Sequence, residues 1–345
     1  MLALLGVGLL AGAVGAAVVL LWGPSTGAPT TSCPAVRVAK TGLPSVVTIF
    51  ANGTSSSGSG SGEIIRSGGY ILTNDHVISV AGGAGGSLSV LYSNGHRSAA
   101  TIVGRDLHTD LAVIKAEDGA KGLPVIAIGS SSGLHVGQPV VALGAPLGLS
   151  STVTAGIVSA LDRSLSLPAD QGKTAHIFGA VQTDASINPG NSGGPLVDCH
   201  ARLVGVNTAI ITVPDSSGEA SGGSVGLGFA IPVDQAKPLS DELIAHGNVS
   251  RPTLGLQAQT IPQDVADKTG VPGGLYVVEV VPGGPAATAG LQVSDIITEI
   301  DGHRATDAER LVIITLTQEA GHKVALTYVR NGQPTTVDVT LADPS

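Results

Sequence analysis

The chain has 345 residues, enough for two or three domains, and its formal net charge of −9 argues against nucleic-acid binding because phosphates would meet no basic surface. Aromatic residues make up only 2% of the sequence, so its cores must be built from Val, Ile, Leu and Ala. Two cysteines, Cys33 and Cys199, are too few for a disulfide framework or a zinc site and leave one disulfide or two free thiols as alternatives. No motif for a metal, ATP or another cofactor is present in the sequence, and we expect no cofactor.

The N-terminus is apolar and uncharged. Residues 2–22 carry no charged side chain and as a helix would extend about 30 Å, so we predict a transmembrane segment over residues 1–22. A cleaved signal peptide is the alternative, but the apolar run is longer than a usual signal and no positive residues precede it. Residues 23–42 are rich in Pro, Ser, Thr and Gly and predict a flexible linker. By charge alone, Arg37 and Lys40 indicate that the part of the protein after the predicted transmembrane segment lies in the cytoplasm.

Short apolar runs bounded by turn residues follow, as is typical of a mostly β chain. The first six predict one barrel, with strands at residues 46–50, 62–65, 70–73, 88–92, 100–104 and 111–115. The next seven predict a second barrel, with strands at residues 125–128, 139–143, 151–160, 180–183, 194–197, 203–212 and 226–231. Loops are expected at 52–58, 162–177 and 214–224, either as plain connections or as regulatory segments.

Residues 184–195, DASINPGNSGGP, are the strongest chemical signal. Ser192 stands among glycines, where backbone N–H groups can converge beside its hydroxyl. A serine nucleophile needs a base and an orienting carboxylate, and His76 at a strand end and Asp110 before a strand are the candidates. Gly190 to Gly194 also fits the α/β-hydrolase pattern, but that fold needs a helix directly after the serine, whereas two short strands are predicted here.

The C-terminal part changes character after a predicted helix over residues 232–246. The segments TLGL (253–256), GLYVVEV (274–280), PAATAGL (285–291) and DIITEIDG (295–302) resemble a PDZ domain, with its groove helix at 308–318. Such a groove adds a C-terminal peptide as a strand to a sheet edge. We therefore expect peptide binding at Thr253, Leu254, Gly255 and Leu256; a purely structural strand start is the alternative.

Four segments together resemble the HtrA (Deg) family of serine proteases: GSGSG (58–62), LTNDHV (72–77), TDLAV (109–113) and the run from Gln182 to Pro195. The resemblance extends from about residue 43 to the C-terminus. It implies a mostly β, trypsin-like double β-barrel protease domain followed by an α+β PDZ domain. It also implies His76 as base, Asp110 as orienting acid, Ser192 as nucleophile, and Gly190, Asn191 and Ser192 as the oxyanion hole.

The resulting domain prediction is a transmembrane segment at 1–22, a flexible linker at 23–42, a protease domain at 43–233, a helical linker at 234–250 and a PDZ domain at 251–343. Ser186 occupies the position at which trypsin-like enzymes specific for Lys or Arg carry an aspartate. By resemblance, Ile187 and residues Asn207, Thr208, Ala209 and Ile210 form the substrate wall. We therefore expect the substrate pocket to accept a small aliphatic side chain at the cleaved residue.

The family resemblance implies a single-pass membrane protein with an extracytoplasmic protease, against the indication from Arg37 and Lys40. Its expected substrates are unfolded or signalling proteins, its expected PDZ ligands are C-terminal peptides, and its expected assembly is a homotrimer. The alternative function is a chaperone-like or peptide-binding module with little proteolysis.

Overall fold

The computed structural model describes residues 33–145, 152–169, 174–188, 190–210 and 226–343. The predicted transmembrane segment and the beginning of the predicted linker lie outside these ranges. Among the residues that the structure describes, no helix is both long and apolar enough to cross a membrane.

The first helix corrects the prediction of a flexible linker over its last residues. Helix α1, Ala35–Gly42, packs on the protease domain and buries Val38. It approaches so closely that a Cβ on Gly42 would lie 2.6 Å from the side chain of Leu143. Just before it, a disulfide joins Cys33 to Cys199 with their Cα atoms 4.9 Å apart. Apolar contact and a covalent link therefore fix a segment whose composition alone suggested a tether.

Six antiparallel strands close the first barrel in the order β1-β2-β3-β6-β5-β4. Alternating apolar residues fill its interior, including Val47, Ile49, Ile71 and Ile114, none of which is exposed. A short helix, α2, Asp75–Ile78, follows the third strand. The strands are β1 Val46–Asn52, β2 Ser57–Arg66, β3 Tyr70–Thr73, β4 Ser87–Tyr92, β5 Arg97–Asp106 and β6 Leu111–Ala116.

The second barrel has the strand order β11-β8-β9-β10-β13-β12-β7, and pairing of β11 with β12 closes it. Its strands are β7 Ala127–Ile128, β8 Pro139–Gly144, β9 Thr152–Pro168, β10 Thr174–Thr183, β11 Pro195–Val197, β12 Arg202–Ile210 and β13 Gly228–Pro232. The predicted loop at 162–177 is instead largely the extended end of the β9–β10 hairpin, because residues 163–168 pair with 174–180. The predicted loop at 214–224 lies outside the described residues.

One apolar cluster joins the two barrels. Leu72 and Leu111 of the first barrel pack in the same buried cluster as Val141 and Leu143 of the second. We call this contact surface the barrel seam. Because it holds the two barrels against each other, residues that approach it from either side form the cleft.

Helix α3, Val233–His246, leads out of the protease domain and ends at Gly247 in the left-handed conformation. A separate apolar core and a six-stranded sheet, ordered β14-β15-β16-β18-β19 with β17 paired to β16, form the C-terminal domain. Its elements are β14 Leu256–Thr260, α4 Gln263–Thr269, β15 Leu275–Val280, α5 Pro285–Thr288, β16 Ile296–Ile300, β17 His303–Arg304, α6 Glu309–Thr317, β18 Lys323–Arg330 and β19 Gln333–Thr340.

Candidate active site

The structure brings His76 and Asp110 into direct contact. His76 lies on α2, and Asp110 immediately precedes β6 with a positive φ of 56°. His76 Nδ1 lies 2.9 Å from each carboxylate oxygen of Asp110, and the His76 backbone N–H donates to Oδ1 at 3.0 Å. Because the acid holds Nδ1, the imidazole can accept a proton only at Nε2.

Several neighbours fix the Asp110 carboxylate and backbone. Thr208 Oγ1 donates to Asp110 Oδ2 at 2.5 Å, and the Asn74 side-chain amide donates to the Asp110 carbonyl at 2.9 Å. The Asp110 side chain is only 6% exposed, whereas that of His76 is 43% exposed. Asp110 is thus enclosed while His76 is accessible, an arrangement that would suit general-base chemistry at His76.

Hydrogen bonds to Thr208 connect Ser192 with Asp110. Its Oγ donates a long hydrogen bond, 3.3 Å, to the backbone carbonyl of Thr208, whose hydroxyl binds Asp110. One residue of β12 therefore contacts both the serine and the acid. Thr208 was predicted only as part of the substrate wall, and sequence gave no sign of this bridging position.

The hydrogen bonds around Ser192 correct the predicted oxyanion hole. The Asn191 N–H donates to the carbonyl of Asn188 at 2.9 Å, so Asn191 is not an available donor. Within the described ranges, the N–H groups of Gly190 and Ser192 donate no hydrogen bond. These two N–H groups are therefore the ones that could donate to a developing oxyanion.

Ser61 was missed as a site residue. Its hydroxyl donates to the Gly190 carbonyl at 2.6 Å and accepts from the Ala145 N–H at 2.8 Å, while its own N–H donates to the Ser192 carbonyl at 2.8 Å. A Cβ on Gly60 would lie 3.0 Å from that same carbonyl, so β2 lies directly against the serine loop. The alternating Gly and Ser of residues 58–62 was the available signal.

The predicted substrate wall is more enclosed than expected. Ile187 is 1% exposed and packs in the core of the second barrel, so it is not an open wall of the cleft. Asn207 is fully buried, and Thr208 points to Asp110. The side chains of Ala209 and Ile210 lie outside the described part of the structure. Ser186 is exposed.

An interdomain ion pair ends at the turn that carries the acid. Arg251 forms a two-pronged pair with Asp106, with Nη1 2.8 Å from Oδ1; their side chains are 17% and 2% exposed. The same carboxylate accepts hydrogen bonds from the Thr109 hydroxyl and the His108 N–H. The start of the C-terminal domain therefore contacts the turn that precedes Asp110.

The predicted peptide-binding residues have mixed positions. Leu254 is buried in the core, and the Gly255 N–H donates to the Thr253 hydroxyl at 2.9 Å. Gly255 has a φ of 67°, and a Cβ there would lie 2.9 Å from Pro285. The local turn and α5 therefore suffice to require this glycine.

Leu256 does face a groove. A cavity of about 590 Å³ lies between β14 and α6, and Ser166, Thr174 and His176 of the β9–β10 hairpin contribute to its lining. Among the described residues, no cluster of three or more His, Cys, Asp or Glu side chains is placed to hold a metal ion.

Comparison with known proteins agrees with this architecture. The trypsin-like peptidase domain family matches residues 60–206, and the PDZ domain family matches residues 252–341. The solved structure of the HtrA-type protease AlgW with a tripeptide is 35% identical, with a TM-score of 0.64, and the match covers 90% of this chain and 97% of that one. The chain belongs to the HtrA family of serine proteases. The predicted family and the two-barrel protease fold with a PDZ domain are confirmed.

Two HtrA-related sequences extend the comparison. The serine protease PepD of Mycobacterium tuberculosis is 44% identical over 311 residues, which cover 88% of this chain and 65% of PepD. A probable periplasmic serine endoprotease, DegP-like, of Halomonas elongata is 40% identical over 286 residues, which cover 82% of this chain and 56% of the relative. The chain thus matches less than two thirds of the length of either protein.

Proposed function

We propose that this HtrA-family chain is a membrane-anchored, extracytoplasmic serine endopeptidase for unfolded or signalling proteins. The carrying observation is the contact set in which Thr208 binds Asp110 through its hydroxyl and Ser192 through its carbonyl. In the reaction, Ser192 Oγ attacks a peptide carbonyl while His76 takes its proton and then passes it to the leaving amine. Asp110 stabilises the imidazolium, and the N–H groups of Gly190 and Ser192 receive the oxyanion.

The direct test compares casein degradation by the full chain in detergent with that by its Ser192→Ala variant. We expect degradation by the parent, and labelling of Ser192 by a fluorophosphonate, and neither with the variant. If both proteins degrade casein equally, or the parent shows no cleavage with any C-terminal peptide added, the protease function is wrong. A chaperone-like protein would instead suppress casein aggregation in both forms.

We propose cleavage after small aliphatic residues. Ser186 supplies no fixed negative charge where a basic side chain would need one, and nearby Asp184 already accepts a 2.7 Å hydrogen bond from the Ile157 N–H. Reporter peptides that differ only in Val, Ala, Lys or Arg before the cleaved bond test this preference. Faster turnover of the Lys or Arg peptides would contradict it.

The groove between β14 and α6 is proposed to bind C-terminal peptides, with the β9–β10 hairpin transmitting occupancy to the protease site. The hairpin residues that line the groove, and the 2.7 Å hydrogen bond from the His176 N–H to the His108 carbonyl, support this route. A peptide with a free C-terminus should bind the Ser192→Ala protein and accelerate the parent, whereas its amidated form should do neither. Equal effects of both peptides would exclude carboxylate recognition.

Anchoring, location and assembly are part of the same proposal. The periplasmic assignment in the name of the Halomonas elongata relative supports a location outside the cytoplasm, and the apolar residues 2–22 support anchoring. Protease accessibility of the full chain in spheroplasts tests both. Sedimentation of the detergent-purified chain tests the proposed homotrimer against a monomer.

A further inference from the structure

Glu63 on β2 is a buried carboxyl group without a partner. The residue has no exposed surface, and neither Oε1 nor Oε2 has a hydrogen-bond partner within the described part of the chain. Removing an ionised carboxylate from water without compensation is so costly that the group stays neutral instead. Burial accordingly raises the pKa of Glu63 well above its ordinary value of 4.5.

Strand register places this carboxyl at the barrel seam. Glu63 pairs with Val46 on one side and Leu72 on the other, and both belong to the apolar cluster shared by the two barrels. Because side chains alternate along a strand, Glu63 projects from the same face as Ser61. Ser61 reaches across the seam to the carbonyl of Gly190 and the N–H of Ala145.

Among the described residues, the side chains that share the face of Glu63 carry no titratable group. On its face of the sheet, β1 presents Val46 and Thr48, and the β3 side presents Leu72 and then Asn74. Across the seam, the shared cluster supplies the apolar side chains of Val141 and Leu143. The Asn74 side-chain oxygen is also buried and has no hydrogen-bond partner among the described residues.

The nearest titratable groups along these elements already bind one another. Asp110 binds His76, and Asp75 binds Arg105 at 2.6 Å. Neither pair contributes to the raised pKa of Glu63, whose cause is burial.

We propose that Glu63 is a protonation-dependent positioning residue for the Ser192 loop. As a neutral carboxyl it fits the dry seam and lets Ser61 hold Gly190. Once ionised, it requires water, and water entering the seam separates β2 from the loop and disorders the oxyanion donors. Cleavage then falls on the alkaline side because the positioned loop is lost. This inference rests on the proposed protease function.

The test compares pH profiles of kcat and KM for the full-length parent and its Glu63→Gln variant, whose amide has the same shape and cannot ionise. We expect an alkaline fall in kcat for the parent that is absent or displaced to higher pH in the variant, with little change in KM. Glu117→Gln, which makes the same substitution at an exposed position, should keep the parent profile. Coincident profiles for the parent and Glu63→Gln would overturn the proposal.

A second measurement does not depend on proteolysis. In the full-length Ser192→Ala protein, infrared spectroscopy should show the C=O band of a protonated carboxylic acid at neutral pH, and this band should disappear as hydrogen exchange in β2 accelerates at higher pH. The proposal would be overturned if the C=O band is absent, or if the hydrogen-exchange rate in β2 does not change when the band disappears. This holds even if Glu63→Gln fails to fold. If no cleavage is detected but band and exchange change together, only the proposed activity fails.

Thermal stability gives a third readout with a defined sign. Because the folded-state pKa is raised, the stability of the parent is greatest below the ordinary pKa of 4.5 and decreases as pH rises toward the folded-state value. The Glu63→Gln variant cannot ionise at this position and does not show this loss of stability as pH rises. Its Tm relative to the parent should therefore increase from pH 4 to pH 7, and a constant difference would overturn the proposal.

Discussion

At the residue scale, the site depends on side chains that position other residues and take no direct part in the reaction. Thr208 binds both the acid and the serine, and Ser61 holds the Gly190 carbonyl from the opposite barrel. Neither role has a motif, because each arises where distant strands meet. The substitutions that separate positioning from chemistry are therefore at these neighbours of the triad.

Thr208→Val should lower kcat/KM by about 10- to 100-fold, because it removes a hydrogen bond to a charged group worth about 1.5–3 kcal/mol while keeping the branched shape. Steady-state cleavage of a reporter peptide measures the loss. Thr101→Val, at an exposed position of β5, is the matched control and should leave the rate unchanged. Equal activity of both variants would show that Asp110 needs no hydrogen bond from β12.

Gly193→Ala should abolish activity and reduce stability. Gly193 has a φ of 79°, and an added Cβ would overlap Thr73 Oγ1 and lie 2.9 Å from the Asn74 N–H. Gly95 has a similar φ of 83° but open space around it, so Gly95→Ala isolates the backbone cost of about 1–2 kcal/mol. Calorimetry and reporter cleavage should place Gly193→Ala well below Gly95→Ala in both Tm and rate. Similar values would mean that the serine loop can move aside.

At the element scale, α1 and the β9–β10 hairpin are the main departures from prediction. Both segments contain residues typical of loops, yet α1 gains a buried contact through Val38 and the hairpin gains a ladder of paired residues. Local composition underestimated α1 because its partners Leu143 and Cys199 lie far away in the chain. It underestimated the hairpin because strand pairing, and not composition, makes residues 163–168 and 174–180 regular. The disulfide from Cys33 to Cys199 adds a further long-range constraint to α1.

Replacing both cysteines by Ser should lower the Tm by roughly 5–15 °C. The disulfide spans 166 residues, and closing so long a loop in the unfolded chain is worth about 2–5 kcal/mol. Differential scanning calorimetry measures the change, and dithiothreitol should reproduce it in the parent but not in the double variant. An unchanged Tm on reduction would show that apolar packing alone holds α1.

At the scale of the whole molecule, the described parts of the two domains meet at an ion pair and at the lining of a groove. Arg251 at the start of the PDZ domain pairs with Asp106 at the turn before Asp110, and the β9–β10 hairpin meets the PDZ groove. Because the pair is largely buried, removing one partner leaves an uncompensated charge, a change that typically costs about 3–5 kcal/mol.

Arg251→Ala should therefore lower kcat of the protease and increase cleavage by an added protease at residues 247–252, the segment that follows α3. Arg304→Ala removes an equal charge from an exposed PDZ position and should do neither. Reporter kinetics and limited proteolysis provide the two measurements. Normal kcat with a loosened linker would confine the role of Arg251 to domain docking.

The sequence by itself determined the family, the alternation of short strands and the identity of His76, Asp110 and Ser192 as candidates, because these depend on local residue patterns. Only the tertiary structure decided which N–H groups near Ser192 are free, that Thr208 and Ser61 support the site, and that Glu63 lies in an apolar seam. These properties depend on backbone direction and on contacts between distant strands. Local sequence patterns specify neither.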